Sequence, residues 1–211
     1  MVEWVGMRVT VKPLLVVISA PSGTGKSTLC DLLLEEFPNL SYSISCTTRK
    51  PRGEEEDGVD YYFLSEAEFL RRRDNDEFLE WAQVHGHYYG TPAAPVEEIM
   101  REGRSVLMDI DVEGARQVRF AMASLPDANP LKAGFTDIFI RPPSLQELRR
   151  RLVDRGEDTK EEIERRLAAA EEELSHAGEF RYRLVNDDLR SAYRILREIL
   201  LMRSGCLGDP D

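Results

Sequence analysis

The residues best suited to chemistry lie together near the start of the chain, in APSGTGKST at 20–28. Gly23 and Gly25 allow backbone N–H groups to wrap phosphate oxygens with no Cβ in the way. Lys26 offers a compact positive charge to the β- and γ-phosphates of a nucleoside triphosphate, and Ser27 offers a hydroxyl of the kind that ligates the accompanying Mg2+. Pro21, Ser22 and Thr24 complete the loop, and Thr28 begins the helix proper. The spacing fits G-x-x-x-x-G-K-[ST] at every position but the first, where Ala20 replaces Gly. That departure matters only if position 20 needs a positive φ, where a Cβ costs about 1–2 kcal/mol.

A second set of candidates is charged. Arg49 and Arg52 flank Pro51, which pushes Lys50 towards polyproline geometry, so both guanidinium groups can face one way and converge on a phosphate. A solvated basic loop answering the acidic run at 54–57 explains the same spacing equally well. Asp109 and Asp111 close an apolar run, where open α/β sheets bind ligands beyond their strands. Asp111 reads as well as a cap for a helix starting near Val112. Arg149, Arg150, Arg151, Arg155, Arg165 and Arg166 crowd two charged helices within 144–174. Such i,i+4 charge spacing is usually a solvated face, but its place beside a phosphate-binding sheet favours a phosphate lid.

The elements that must position these groups follow from periodicity. The run at 14–20 is apolar except for Ser19 and is bounded by Pro13 and Pro21, which implies a strand buried on both faces and a parallel sheet. A helix is expected at 27–37, a strand at 41–45, a helix at 66–75, and a short helix at 95–102 stopped by Gly103. Strands follow at 105–114, 135–144 and 181–187, with a last helix at 189–202 and a disordered tail at 204–211. Ser65 with Glu68, Ser144 with Glu147 and Thr159 with Glu162 have capping-box spacing. Residues 126–130 read as a loop. The aromatic stretch EFLEWAQVHGHYYGTP places His85 and His87 on one strand face, without a third ligand at a spacing that would suit zinc.

At 211 residues the chain forms one enzyme-sized unit. A net charge of −11 excludes a general binder of nucleic acid or membrane surface, so anionic ligands need local cationic clusters. Three cysteines, Cys30, Cys46 and Cys206, lie far apart without C-x-x-C spacing, which suits a reducing cytoplasm. No secretory or membrane-spanning apolar run is present, and Met7 offers an alternative start.

Taken together, APSGTGKST, SISCTTRKPRGEEEDGVDYYF, EFLEWAQVHGHYYGT, VLMDIDVEGA, FIRPPS with RRRLVDRG, and VNDDL resemble the guanylate kinases over about 14–200. The resemblance implies a P-loop three-layer core with a parallel sheet at 14–44, 105–141 and 180–203. It adds a GMP-binding lobe of small mixed sheet and helix at 45–104 and a helical lid at 142–179, with an extension at 1–13. It implies Mg2+-dependent transfer of the γ-phosphoryl group of ATP to GMP and dGMP, with neither monomer nor homo-oligomer favoured. Ala at position 20 is common among bacterial members of that family.

By the same resemblance, residues 20–28 and Asn186 bind ATP, Asn186 at the adenine end. Ser45, Glu80 and Asp111 read guanine. Arg49, Arg52, Tyr61 and Tyr89 hold the GMP phosphate, with Thr91 nearby. Lys26, Arg49, Arg151, Arg155 and Arg166 neutralise the transferring phosphoryl group, and Asp109 acts on Mg2+ through its water shell. Adenine lacks the N1–H and 2-amino group of guanine and would leave two carboxylates unpaired. A kinase of the same fold acting on a ribose phosphate would not need Ser45, Glu80 and Asp111. A noncatalytic guanylate-kinase-like interaction domain would not need the intact P-loop.

Overall fold

The computed structural model describes residues 12–156 and 158–206. Most of the expected N-terminal extension, Met7 with it, and the tail from 207 lie outside the described residues.

The larger sheet contains β1 (Leu15–Ser19), β2 (Leu40–Tyr42), β7 (Ser105–Asp109), β8 (Phe135–Arg141) and β9 (Tyr182–Val185). Its five strands run in the order β2-β7-β1-β8-β9, and every pairing is parallel. The apolar run therefore becomes the central strand, with Leu15, Val16, Val17 and Ile18 all 0% exposed. Alternation divides it between two layers. Val16 and Ile18 pack with Leu29 and Leu33 of α1 (Lys26–Glu36) and Leu196 and Leu200 of α8 (Leu189–Arg203). Leu15 and Val17 pack with Val96 and Met100 of α3 (Ala93–Arg101) and Ala115 and Val118 of α4 (Val112–Ser124).

The smaller sheet contains β3 (Ser45–Thr47), β4 (Tyr61–Phe63), β5 (Phe78–Val84) and β6 (His87–Pro92), in the order β4-β3-β6-β5. It is mixed: β3 and β4 are parallel, while β6 is antiparallel to β3 and β5. Helix α2 (Glu66–Asp74) covers it, with Phe69 stacked on Phe78 and Tyr88. Helices α6 (Leu145–Arg155) and α7 (Lys160–Ser175) form a hairpin with its own apolar cluster of Leu148, Leu152, Ile163, Leu167 and Ala170.

Several boundaries differ from the sequence reading for local reasons. The strand expected at 41–45 is two, because the chain leaves the larger sheet after Tyr42 and enters the smaller one at Ser45. The strand expected at 105–114 stops at Asp109, because Asp111 caps α4, its Oδ1 accepting from Gly114 N at 2.7 Å. The 126–130 loop runs into α5 (Pro130–Gly134), capped by Asn129 and opened by Pro130 at a position where its missing N–H costs nothing. His85 sits in the β5–β6 turn with φ 50, followed by Gly86 with φ 81, a twist that suits a tight hairpin; only His87 is on the strand.

Of the three capping-box spacings, only Thr159 with Glu162 is reciprocal. Glu68 and Glu147 instead give their carboxylates to Arg71 and Arg72, and to Arg150 and Arg151. At the C-terminus, Ser204 is buried, its carbonyl accepts from Lys12 N at 3.0 Å, and Cys206 N donates to Leu201 O, so the expected disorder does not reach 204–206. Among the described residues no helix is long and apolar enough to cross a membrane.

Candidate active site

The loop between β1 and α1 carries its glycines where the backbone demands them. Gly23 and Gly25 have φ of 85 and 91, in the left-handed region. Ala20 is not among the positive-φ residues, so its Cβ costs nothing there. The loop is held from within and from behind. Thr24 Oγ1 donates to the Pro21 carbonyl, and the buried Asn186 donates through Nδ2 to the Thr24 carbonyl at 2.7 Å. A Cβ on Gly25 would lie 2.6 Å from that same Nδ2. Asn186, expected at the adenine end, thus has its amide nitrogen engaged with the loop backbone.

Lys26 forms an ion pair with Asp109, which stands at the end of the neighbouring strand β7. Ser27 is exposed on the first turn of α1. A hydroxyl and a carboxylate at the rim of an anion cradle are hard oxygen donors of the kind Mg2+ takes.

Glu80, Thr91, Ser45 and Asp111 come together although they are far apart in sequence. Thr91 is 0% exposed and donates to Glu80 Oε1 at 2.7 Å, and its hydroxyl lies 3.5 Å from Ser45 Oγ. Thr91, expected near the GMP phosphate, sets its hydroxyl between Glu80 and Ser45. A Cβ on Gly114 would lie 3.4 Å from both Asp111 Oδ1 and Glu80 Oε2, so the two carboxylates converge on one spot above α4. Burial raises the Glu80 pKa above the usual carboxylate range and the nearby Asp111 charge adds to this, while the Thr91 hydroxyl works against it.

Arg49 is buried, and its two terminal nitrogens donate to both oxygens of Glu55 at 2.8 and 2.9 Å. Its guanidinium also lies 5.3 Å above the Tyr61 ring, which meets the Tyr89 ring edge-on. Arg52 is exposed, and its backbone N–H donates to Glu55 Oε2 at 2.7 Å. The acidic run therefore does answer Arg49, through Glu55, while holding it among Tyr61 and Tyr89. Glu55 was not singled out from sequence, although its place three residues after Arg52 was the available signal.

The α6–α7 hairpin, the expected lid, rests on the β1–α1 loop. Leu148 and Leu152 crowd Gly23, where a Cβ would lie 2.8 Å from Leu152 Cδ2. Arg166 donates to Ser22 Oγ at 3.2 Å and pairs with Asp158 at 3.1 Å. Arg151 pairs with Glu147 and reaches the Asp187 carbonyl, while Arg155 ends the same helix, exposed. Glu173 of α7 also faces the site. Burial raises its pKa, Lys26 lowers it and Asp111 raises it. Nothing in a charged helix distinguished this glutamate by sequence.

The guanylate kinase family model matches residues 12–203. A guanylate kinase of Symbiobacterium thermophilum is 46% identical over 190 residues, spanning 90% of this chain and 85% of that relative. One of Nitratidesulfovibrio vulgaris is 51% identical over 184 residues, spanning 87% of this chain and 84% of that relative. The crystal structure of guanylate kinase from Anaplasma phagocytophilum superposes with a TM-score of 0.65 at 34% identity, covering 92% of this chain and 89% of that one. With a glycine loop on a parallel-sheet core and this similarity along almost its whole length, the chain belongs to the guanylate kinase family.

Proposed function

We propose that this chain transfers the γ-phosphoryl group of ATP to the phosphate of GMP, giving ADP and GDP. The observation that carries the reading is the convergence of buried Glu80 with Asp111 and Ser45 at one end of a site whose other end is the P-loop. Guanine presents two donors together, N1–H and the 2-amino group. Two carboxylates are the matching acceptors, and the Ser45 hydroxyl is a donor suited to O6.

Residues 14–44, 105–141 and 180–203 form the core, 45–104 the GMP lobe, and 142–179 the lid. Arg49, Arg52, Tyr61 and Tyr89 grip the GMP phosphate. The backbone N–H groups of 20–28 and the start of α1 cradle the ATP phosphates. In the reaction a GMP phosphate oxygen bonds to the γ-phosphorus as the bridge to the β-phosphate breaks, and the electron pair leaves with ADP. An acceptor phosphate that is already ionised needs no general base. The protein aligns the two phosphates and balances their charge with Lys26, Arg49, Arg151, Arg155 and Arg166. Ser27, with Asp109 through water, would hold Mg2+, which would supply positive charge to the triphosphate. The Lys26–Asp109 pair keeps the lysine over the loop until nucleotide arrives. A reducing cytoplasm suits the free thiols.

An ADP-release assay with ATP and Mg2+, comparing GMP, AMP, CMP and UMP, tests the reading. GMP-dependent turnover is expected, and its absence would overturn it. Lys26→Ala is expected to lower kcat by about 10²–10³ with the fold retained.

A further inference from the structure

Strand β5, which carries Glu80, is an edge strand: β6 pairs one side of it, and among the described residues its other side has no strand partner. Its register also shifts between Phe78 and Glu80, so the ladder is least regular just before the residue whose placement matters most. On the open side the peptide groups of Trp81 are met by one side chain from the core. Trp81 N donates to Gln117 Oε1 at 3.0 Å, and Gln117 Nε2 donates to the Trp81 carbonyl at 3.0 Å. A primary amide carries a donor and an acceptor side by side, which lets it stand in for a neighbouring strand.

Gln117 belongs to α4, and the same stripe of that helix carries Asp111 and Gly114 at intervals of three. The stripe meets β5 at each step. Asp111 approaches Glu80, Gly114 leaves room for both carboxylates, and Gln117 takes hold of the next residue along. We infer that Gln117 is a positioning residue for base recognition, fixing the strand that bears Glu80 to the helix that bears Asp111. The inference rests on the reading that those two carboxylates accept from guanine. Gln117 faces a groove of about 700 Å3 bordered by Trp81 and Phe120, so water replaces its amide when it is removed. The loss is thereby felt in alignment more than in folding.

The test is steady-state kinetics of Gln117→Leu with GMP and with IMP, which keeps N1–H and lacks the 2-amino group. The KM for GMP is expected to rise by about tenfold while the KM for ATP stays within about twofold. The preference for GMP over IMP is expected to narrow, which a loss of stability alone does not produce. Adding Gln117→Leu to Glu80→Gln is expected to cost less than the two separately, because one acts through the other. If Gln117→Leu does not fold, Gln117→Glu keeps the length and the acceptor but turns an oxygen onto the Trp81 carbonyl, and the same shift is expected. A folded variant with unchanged GMP kinetics, or with equal losses for GMP and ATP, overturns the inference. Glu80→Gln run alongside separates the two failures: if it impairs GMP while Gln117→Leu is silent, only the positioning role falls, and if Glu80→Gln itself is silent, the base-recognition reading falls and this inference with it.

Discussion

Glu55 grips Arg49 through both carboxylate oxygens, at 2.8 and 2.9 Å, and with the same carboxylate accepts the backbone N–H of Arg52. One acidic side chain thus ties together the two arginines that the proposed function assigns to the GMP phosphate. Glu55→Ala is expected to raise the KM for GMP by about tenfold and leave that for ATP unchanged, since Arg49 loses the partner that fixes its fork. Steady-state kinetics checks this, and a lower KM for GMP would show instead that Glu55 competes with the phosphate.

The same pair sets a pH range. Arg49 holds the Glu55 carboxyl down at about 2 against an ordinary 4.5, with the Arg52 N–H helping. A lowered folded-state value contributes stability above the unfolded value, and that contribution disappears as the pH falls from about 4.5 to about 2. Carbon-13 NMR of the Glu55 carboxyl is expected to titrate near the lower limit, and a midpoint at the ordinary value would show that the pair is not formed in solution.

Glu80 shifts the other way, raised by burial and by Asp111. In the proposed role it accepts from guanine as the carboxylate, so the affinity for GMP is expected to fall as the pH falls through a value above the ordinary carboxylate range. The GMP phosphate titrates too, but equally for every variant. In Glu80→Gln the KM for GMP is expected to be raised and to lose the Glu80 part of its pH dependence; profiles parallel to those of the unmodified enzyme would contradict the assignment.

Asn186 and Gly25 meet at the P-loop. Asn186→Ala removes the donor to the buried Thr24 carbonyl and is expected to cost about 1–3 kcal/mol and to raise the KM for ATP more than that for GMP. Denaturant melts and kinetics read the two parts. Equal effects on both nucleotides would mean that the asparagine supports the fold alone.

Ala20 offers a converse test. Because its φ is not positive, Ala20→Gly is expected to leave kcat unchanged and to lower stability by about 0.4–1 kcal/mol through the more flexible unfolded chain. A gain in turnover would show that the loop needs conformational freedom at this position.

By itself the sequence determined the P-loop, the buried strand before it and the two charged helices, because these depend on local spacing and periodicity. The element types were legible for the same reason, while the strand at 105–114 was cut short by a side-chain cap that competes with the ladder at Asp111. The guanine assignments came from resemblance, while spacing offered Arg49 and Arg52 to a phosphate only on equal terms with a solvated basic loop. Only the tertiary structure decided that the Thr91 hydroxyl meets Glu80, that Glu55 is the partner of Arg49, and that Asn186 supports the loop it follows by 162 residues. Contacts such as Gln117 with Trp81 join residues 36 apart on different layers. No local pattern encodes them, because they exist only once the sheet has brought helix α4 against an unpaired strand edge.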